Sequence, residues 1–160
     1  MAQRDFTSYI ADLLEHEDIQ ELRRTNAHWR RDRFAHNLAV GQLAFRLTRL
    51  VNGNLTVAAR SGFLHDWYHG HVPGRKQFVQ PDQHHFRIAH EAATKYGEHP
   101  LVLHAIRTHF WPYGRVVPKT REAWMVWMAD NLIWVADLIH SVKMTWRDGL
   151  HQAIYGEVRA

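Results

Sequence analysis

Residues 124–139 read Trp-Met-Val-Trp-Met-Ala-Asp-Asn-Leu-Ile-Trp-Val-Ala-Asp-Leu-Ile, one of the most apolar stretches of the chain, with Asp130 near its middle. A helix that is apolar on every side is expected to be buried. A carboxylate carried inside with it is costly unless something pairs with it. The run contains no Arg or Lys, so a compensating charge must come from elsewhere in the chain. Fourteen histidines, among them the doublet His65-Asp66, are available to converge on Asp130, and a bound metal cation would resolve the conflict.

The length of 160 residues, with 46% hydrophobic and 12% aromatic residues, suits a single domain over 1–160 with its own core. The absence of cysteine excludes disulfides and thiolate ligands. Histidine and carboxylate remain as donors, a set that suits one or two divalent transition-metal ions such as Fe, Mn, Ni, Co or Zn. A formal charge of +4 favours anionic ligands weakly and is not the dense basic stripe of a nucleic-acid-binding protein. The one local concentration, Arg23, Arg24, Arg30, Arg31 and Arg33, reads first as a solvated helix face and second as a phosphate contact. The N-terminal Met-Ala-Gln-Arg-Asp-Phe lacks the apolar core of a signal peptide, and no uncharged apolar run reaches about 18 residues. A cytoplasmic protein without a membrane span is expected.

Helical periodicity dominates, and no alternating strand pattern of useful length is present. Phe6, Ile10, Leu13 and Leu14 have amphipathic spacing. A long helix is predicted from about Arg31 to Val51, with Phe34, Leu38, Gly41, Phe45 and Thr48 along one stripe and Asn52-Gly53-Asn54 as its stop. The segment from Leu55 to about Asp66 is rich in small residues (Ala58, Ala59, Ser61, Gly62), which permits close packing. Helices follow over about Asp82–Tyr96 and His99–His109, separated by Gly97. Thr120 is a plausible N-cap for the apolar helix, and Trp146–Tyr155 is predicted as a last short helix. The Pro/Gly-containing connections Gly70–Pro81 and Phe110–Pro118 are long enough to be functional loops. The expected architecture is an all-α, single-domain bundle of about six or seven helices.

Five histidine- or aspartate-bearing segments then stand out: His36, His65-Asp66, His90, His109 and Asp130, each on or at the end of a different predicted helix. Inward-projecting ligands from several helices are how bundle cores build metal sites. This order, with Gly62-Phe-Leu-His-Asp at a helix end and His109-Phe-Trp-Pro followed by Pro118, Glu122 and Ala129-Asp130, resembles the HD-domain superfamily of metal-dependent phosphohydrolases, over roughly residues 31–140. The resemblance implies His36, His65, Asp66 and Asp130 as the basic metal ligands. It implies His90 and His109 as the additional pair of dinuclear members, with Asp66 as the bridging carboxylate. His69, His71, His84 and His85 lie close enough to residue 90 for that assignment to slip.

Such an ion lowers the pKa of bound water toward about 7 and supplies hydroxide for attack on a small phosphate ester or nucleotide. Arg75 and Lys76 in the first loop, Lys119 after the second, and Arg33 one turn before His36 are the candidates to neutralise phosphoryl charge. The same ligand order also resembles the mixed-valent di-iron oxygenases of that superfamily, and a non-catalytic metal or nucleotide sensor is a third reading. The expected partners are a small anionic phosphorylated substrate and, from the broad apolar helix surfaces, a second copy in a homodimer. Asp137, two turns after Asp130, reads as a polar contact or a support for the ligands. Trp124, Trp127 and Trp134 read as core, Trp111 and Tyr113 as candidate pocket walls, and His16, His28, His99, His104, His140 and His151 as structural or surface residues.

Overall fold

The computed structural model describes residues 5–25, 32–67 and 85–155, with side chains except at 85 and 147–155. Seven α-helices and two 3-10 turns make up the described residues, with no strand among them. Helices α1 (Ala11–Leu14) and α2 (Glu17–Glu21) are short, and their segment contributes Phe6, Ile10, Leu13 and Ile19 to the core. The bundle proper is α3 (Arg33–Leu50), α4 (Leu55–Leu64), α5 (His85–Tyr96), α6 (Pro100–Thr108) and α7 (Arg121–Tyr155). No helix among the described residues is long and apolar enough to cross a membrane.

Local chemistry accounts for where these helices begin and end. The side chains of Asp32, Asn54 and Thr120 accept hydrogen bonds from the N–H groups of Ala35 (2.7 Å), Val57 (3.2 Å) and Ala123 (3.2 Å), capping α3, α4 and α7. His99 caps α6 through the N–H of Leu101, with Pro100 in the first turn, where a missing N–H costs nothing. Gly97 ends α5 at φ +88°, while the Glu98 N–H donates to Ala93 O and the Gly97 N–H to Thr94 O, a Schellman closure. The turn after α3 is held from across the bundle, since the Asn54 N–H donates to Glu122 Oε1 at 2.7 Å. Glu122 thus serves to tie the α3–α4 turn to the start of α7.

α3 and α4 approach each other most closely where Gly41 and Gly62 meet. A Cβ at Gly62 would lie 2.8 Å from the Cα of Gly41, and one at Gly41 would lie 3.1 Å from the backbone N of Phe63. α3 and α7 also meet over small residues, with Val40 and Ala44 packed among Ala105, Ala123, Val126 and Ala129. Arg60 of α4 clamps the other flank: its guanidinium donates to both Glu98 carboxylate oxygens and to both oxygens of Asp12, which also accepts from Tyr96 Oη at 3.1 Å. These contacts fix the end of α4, from which His65 and Asp66 project.

Two expectations for the last third of the chain are corrected. α7 runs unbroken for 35 residues, so no separate short helix begins at Trp146. Nothing between 139 and 155 supplies a proline, and the single Gly149 costs about 1 kcal/mol against alanine, too little to stop a long helix. Nor is the apolar run buried on every side. Ala123, Val126 and Ala129 are fully buried, whereas Leu132, Trp134, Val135 and Ile139 are 42–50% exposed. Trp134 therefore lies outside the core, unlike the partly buried Trp124 and Trp127, which make edge-on ring contacts with each other and with Trp111.

The glycine crossing is open to test. Gly62→Ala should destabilise the fold by about 1–3 kcal/mol, because the new methyl meets backbone that has no rotamer to yield. Denaturant unfolding with an unchanged midpoint would show that α3 and α4 can separate freely at that point.

Candidate metal centre

The four helices α3, α4, α6 and α7 bring one group of polar side chains into a common buried space. His36, His65 and His109 are 0–2% exposed, and Asp66 is 6% exposed. His36 stands in the first turn of α3. His65 and Asp66 follow directly on α4, His109 directly on α6, and Asp130 lies in the middle of α7. The imidazole centroids of His36 and His65 are 5.3 Å apart, and those of His65 and His109 are 4.9 Å apart.

Two of the rings are oriented by the same device. The last carbonyls of an α-helix have no partner within the helix. His65 Nδ1 lies 2.8 Å from Gly62 O, and His109 Nδ1 lies 2.7 Å from Ile106 O, each carbonyl three residues back at its helix end. An Nδ1–H donated to a carbonyl leaves Nε2 as the lone-pair nitrogen, the tautomer a metal requires. Those Nε2 atoms face carboxylates: His65 Nε2 is 3.5 Å from Asp130 Oδ1, and His109 Nε2 is 3.8 Å from Asp66 Oδ1. His36 Nε2 is 3.3 Å from the same Asp130 oxygen, and its Nδ1 is 4.0 Å from Asp137 Oδ2.

The electrostatics follow from this crowding. Burial opposes a positive charge on His65, but the carboxylates of Asp66 and Asp130 outweigh it and push the imidazole up to about 9. Burial likewise opposes ionisation of Asp130, yet the charge of His65 and hydrogen bonds from His36 and His65 hold its carboxyl well below the usual range. Arg33 donates from Nη1 to Asp66 Oδ2 at 3.3 Å, both side chains being less than 10% exposed. A buried pair of this kind is strongly destabilised when one member is removed.

The donor set fits a divalent transition-metal ion. His36, His65 and Asp66 each offer one atom, all within 4.8 Å of one another, and His65, His109 and Asp130 form a second such group. Bonds of about 2.0–2.2 Å place adjacent ligand atoms about 3–4 Å apart, so only small side-chain rotations separate this arrangement from a coordination shell. His65 Nε2 is fully buried and points at the Asp130 carboxylate, into the space between the groups. Three neutral imidazoles and two carboxylates are a borderline, oxygen- and nitrogen-rich shell.

Not every predicted residue joins this group. His90 is half-buried on α5, and neither set of potential ligands contains it. Burial and then the positive charge of Arg107 lower its pKa, a setting that also repels a cation. Lys119 is exposed, and its backbone N–H donates to His104 Nε2 at 3.0 Å. Arg75 and Lys76 lie outside the described residues, as do His69, His71 and His84. Trp111 packs against Trp124 and Trp127 and accepts a 2.7 Å hydrogen bond from Trp127 Nε1, while Tyr113 is 67% exposed. Sequence reasoning did not single out Asn37, whose carboxamide is fully buried beside His36 and has no hydrogen-bond partner among the described residues.

Comparison with known proteins agrees with this geometry. A family model described as HD domain matches residues 33–134. Ribonuclease Y of Streptococcus pyogenes serotype M5 (strain Manfredo) is 36% identical over 97 residues, which are 61% of this chain and 16% of that protein. The serotype M1 ribonuclease Y matches to the same extent. The chain therefore spans about one-sixth of the length of these relatives. The crystal structure of the HD domain of the L. monocytogenes phosphodiesterase PgpH superposes with a TM-score of 0.55, covering 86% of this chain and 88% of that one at 13% identity.

The charged His65 gives the metal-free protein a pH signature. Its folded-state pKa is raised above the ordinary imidazole value, so its stabilising effect is complete below about 6.5 and is lost as pH rises through about 9. The thermal midpoint of metal-free protein should fall across that window, and added Mn or Co should remove the fall. A midpoint flat from pH 6.5 to about 9 without metal would mean that His65 carries no proton in the fold.

Proposed function

The chain belongs to the HD-domain family, and from that premise we propose that it is a metal-dependent phosphohydrolase acting on a small anionic phosphate ester or nucleotide. The observation that carries this reading is the convergence of buried His36, His65, Asp66 and His109 with the partly exposed Asp130 at near-ligand spacing. A divalent ion held there would supply hydroxide near neutral pH and polarise a phosphoryl oxygen.

In this reading His36, His65, Asp66 and Asp130 hold the ion, and His109 adjoins them through Asp66. The carbonyls of Gly62 and Ile106 keep His65 and His109 in the receptive tautomer. Arg33 orients Asp66 and, from the same position, meets phosphoryl oxygens as charge builds on them. Arg75 and Lys76 retain their proposed share in that neutralisation.

A phosphodiester substrate, including RNA, is a second reading. It draws on the names of the relatives, a ribonuclease and a phosphodiesterase. The mixed-valent di-iron oxygenase reading uses the same ligand order, and the setting of His90 beside Arg107 bears equally on any two-ion site.

Phosphate-ester turnover with Mn, Co or Ni, measured over monoesters, nucleotides, cyclic dinucleotides and short RNA, tests the proposal. His65→Ala and Asp66→Asn should each lower kcat by at least about 100-fold and reduce bound metal measured by mass spectrometry, with helical content retained. Tightly held iron with oxygen uptake and no release of phosphate or nucleotide from any of these compounds would replace hydrolysis with oxygenase chemistry. Full metal binding without turnover of either kind would leave the sensor.

A further inference from the structure

The outer face of α7 carries a pattern that the metal centre does not use. Leu132, Val135, Ile139, Val142 and Trp146 follow one another at intervals of three and four residues, and each is 44–72% exposed. That alternation aligns all five on one stripe, the seam by which an α-helix packs against another helix. The opposite face, with Val126, Ala129 and Asp137, is turned into the protein. Together the five seam residues expose on the order of 500 Å², a size at which an apolar patch marks an interaction surface.

We infer that this seam is a homodimer interface in which two copies of α7 cross antiparallel about a twofold axis at Ile139. The stripe is nearly symmetric about that residue, extending seven positions to either side, as a self-complementary surface must be. Antiparallel pairing sets Leu132 against Trp146 of the partner subunit, and Val135 against Val142 of the partner subunit, so that the bulkiest side chain meets a smaller one. Between 132 and 146 the only charged residues are Asp137, which is buried on the inner face, and Lys143. In the antiparallel arrangement the two Lys143 ammonium groups stand about 12 Å apart along the helices, whereas a parallel pair would bring them to one level beside two tryptophans. Full burial of the seam in both copies would cover about 1,000 Å², the lower bound for a specific interface, with flanking residues adding to it.

Sedimentation equilibrium on the full chain tests this directly. At about 100 μM the wild type should have twice the 18.9 kDa chain mass, and Ile139→Asp should remain helical while its dimer dissociates at least about 100-fold more readily. Because the chain has no cysteine, Ile139→Cys presents a single thiol, which a short bifunctional thiol reagent should couple to its own copy, while Trp146→Cys should not couple. A monomeric wild type at that concentration, or a dimer indifferent to Ile139→Asp, overturns the interface. Monomer captured by phospholipid vesicles and released by the same substitution would reassign the stripe to a lipid surface. Coupling through Trp146→Cys but not Ile139→Cys would overturn the antiparallel arrangement.

Discussion

Two carboxylates and three imidazoles meet at one centre, all but the partly exposed Asp130 buried, and the rest of the fold is arranged to make that arrangement tolerable. Asp130 is held by His36 and His65, and Asp66 by Arg33 and His109. Negative charge placed in an apolar interior without such partners would cost several kcal/mol per group. The partners come from three helices, Arg33 and His36 from α3, His65 from the end of α4 and His109 from the end of α6, so with Asp130 on α7 the polar centre also specifies how these four helices are placed against one another. Alanines on α7 and glycines on α3 and α4 then let the backbones come close enough for short side chains to reach.

The position of each histidine relative to its helix has a chemical purpose. His65 and His109 sit one residue past a helix end, where unused carbonyls point along the axis. Placed a turn earlier, the same rings would find those carbonyls already occupied by backbone N–H groups. A backbone feature thereby chooses the nitrogen that faces the site, and no second side chain is needed for the purpose. His36 enters from a helix beginning instead, and its second nitrogen faces a carboxylate, Asp137, rather than a carbonyl.

Much of this was legible in the residue order. The helix boundaries followed from local signals whose chemistry does not depend on the rest of the molecule, such as Gly97 with its positive φ and the Thr120 cap. Convergence on Asp130 could be anticipated because a carboxylate in so apolar a run demands a partner, even though the structure leaves Asp130 partly exposed. The settings of His90 and Lys119 could not. Which way a side chain on α5 faces depends on how that helix rolls against α6, and Lys119 is set beside His104 because its backbone N–H donates to that imidazole from fifteen residues away. The exposure of α7 was equally hidden, since apolar content states that a surface should be covered without stating which chain covers it.

The crossing at Gly41 and Gly62 has a bearing on cation choice. Where two backbones touch, no compressible layer of side chains lies between them, and the separation of the elements bearing His36 and His65 is set by peptide van der Waals radii. A cation of unsuitable size cannot draw these rings together or push them apart by sliding one helix on the other. Any adjustment falls on side-chain torsions and on the carboxylates of Asp66 and Asp130. For an ion bound there, discrimination by size would be a torsional matter, governed by how far a few χ angles bend rather than by breathing of the whole bundle.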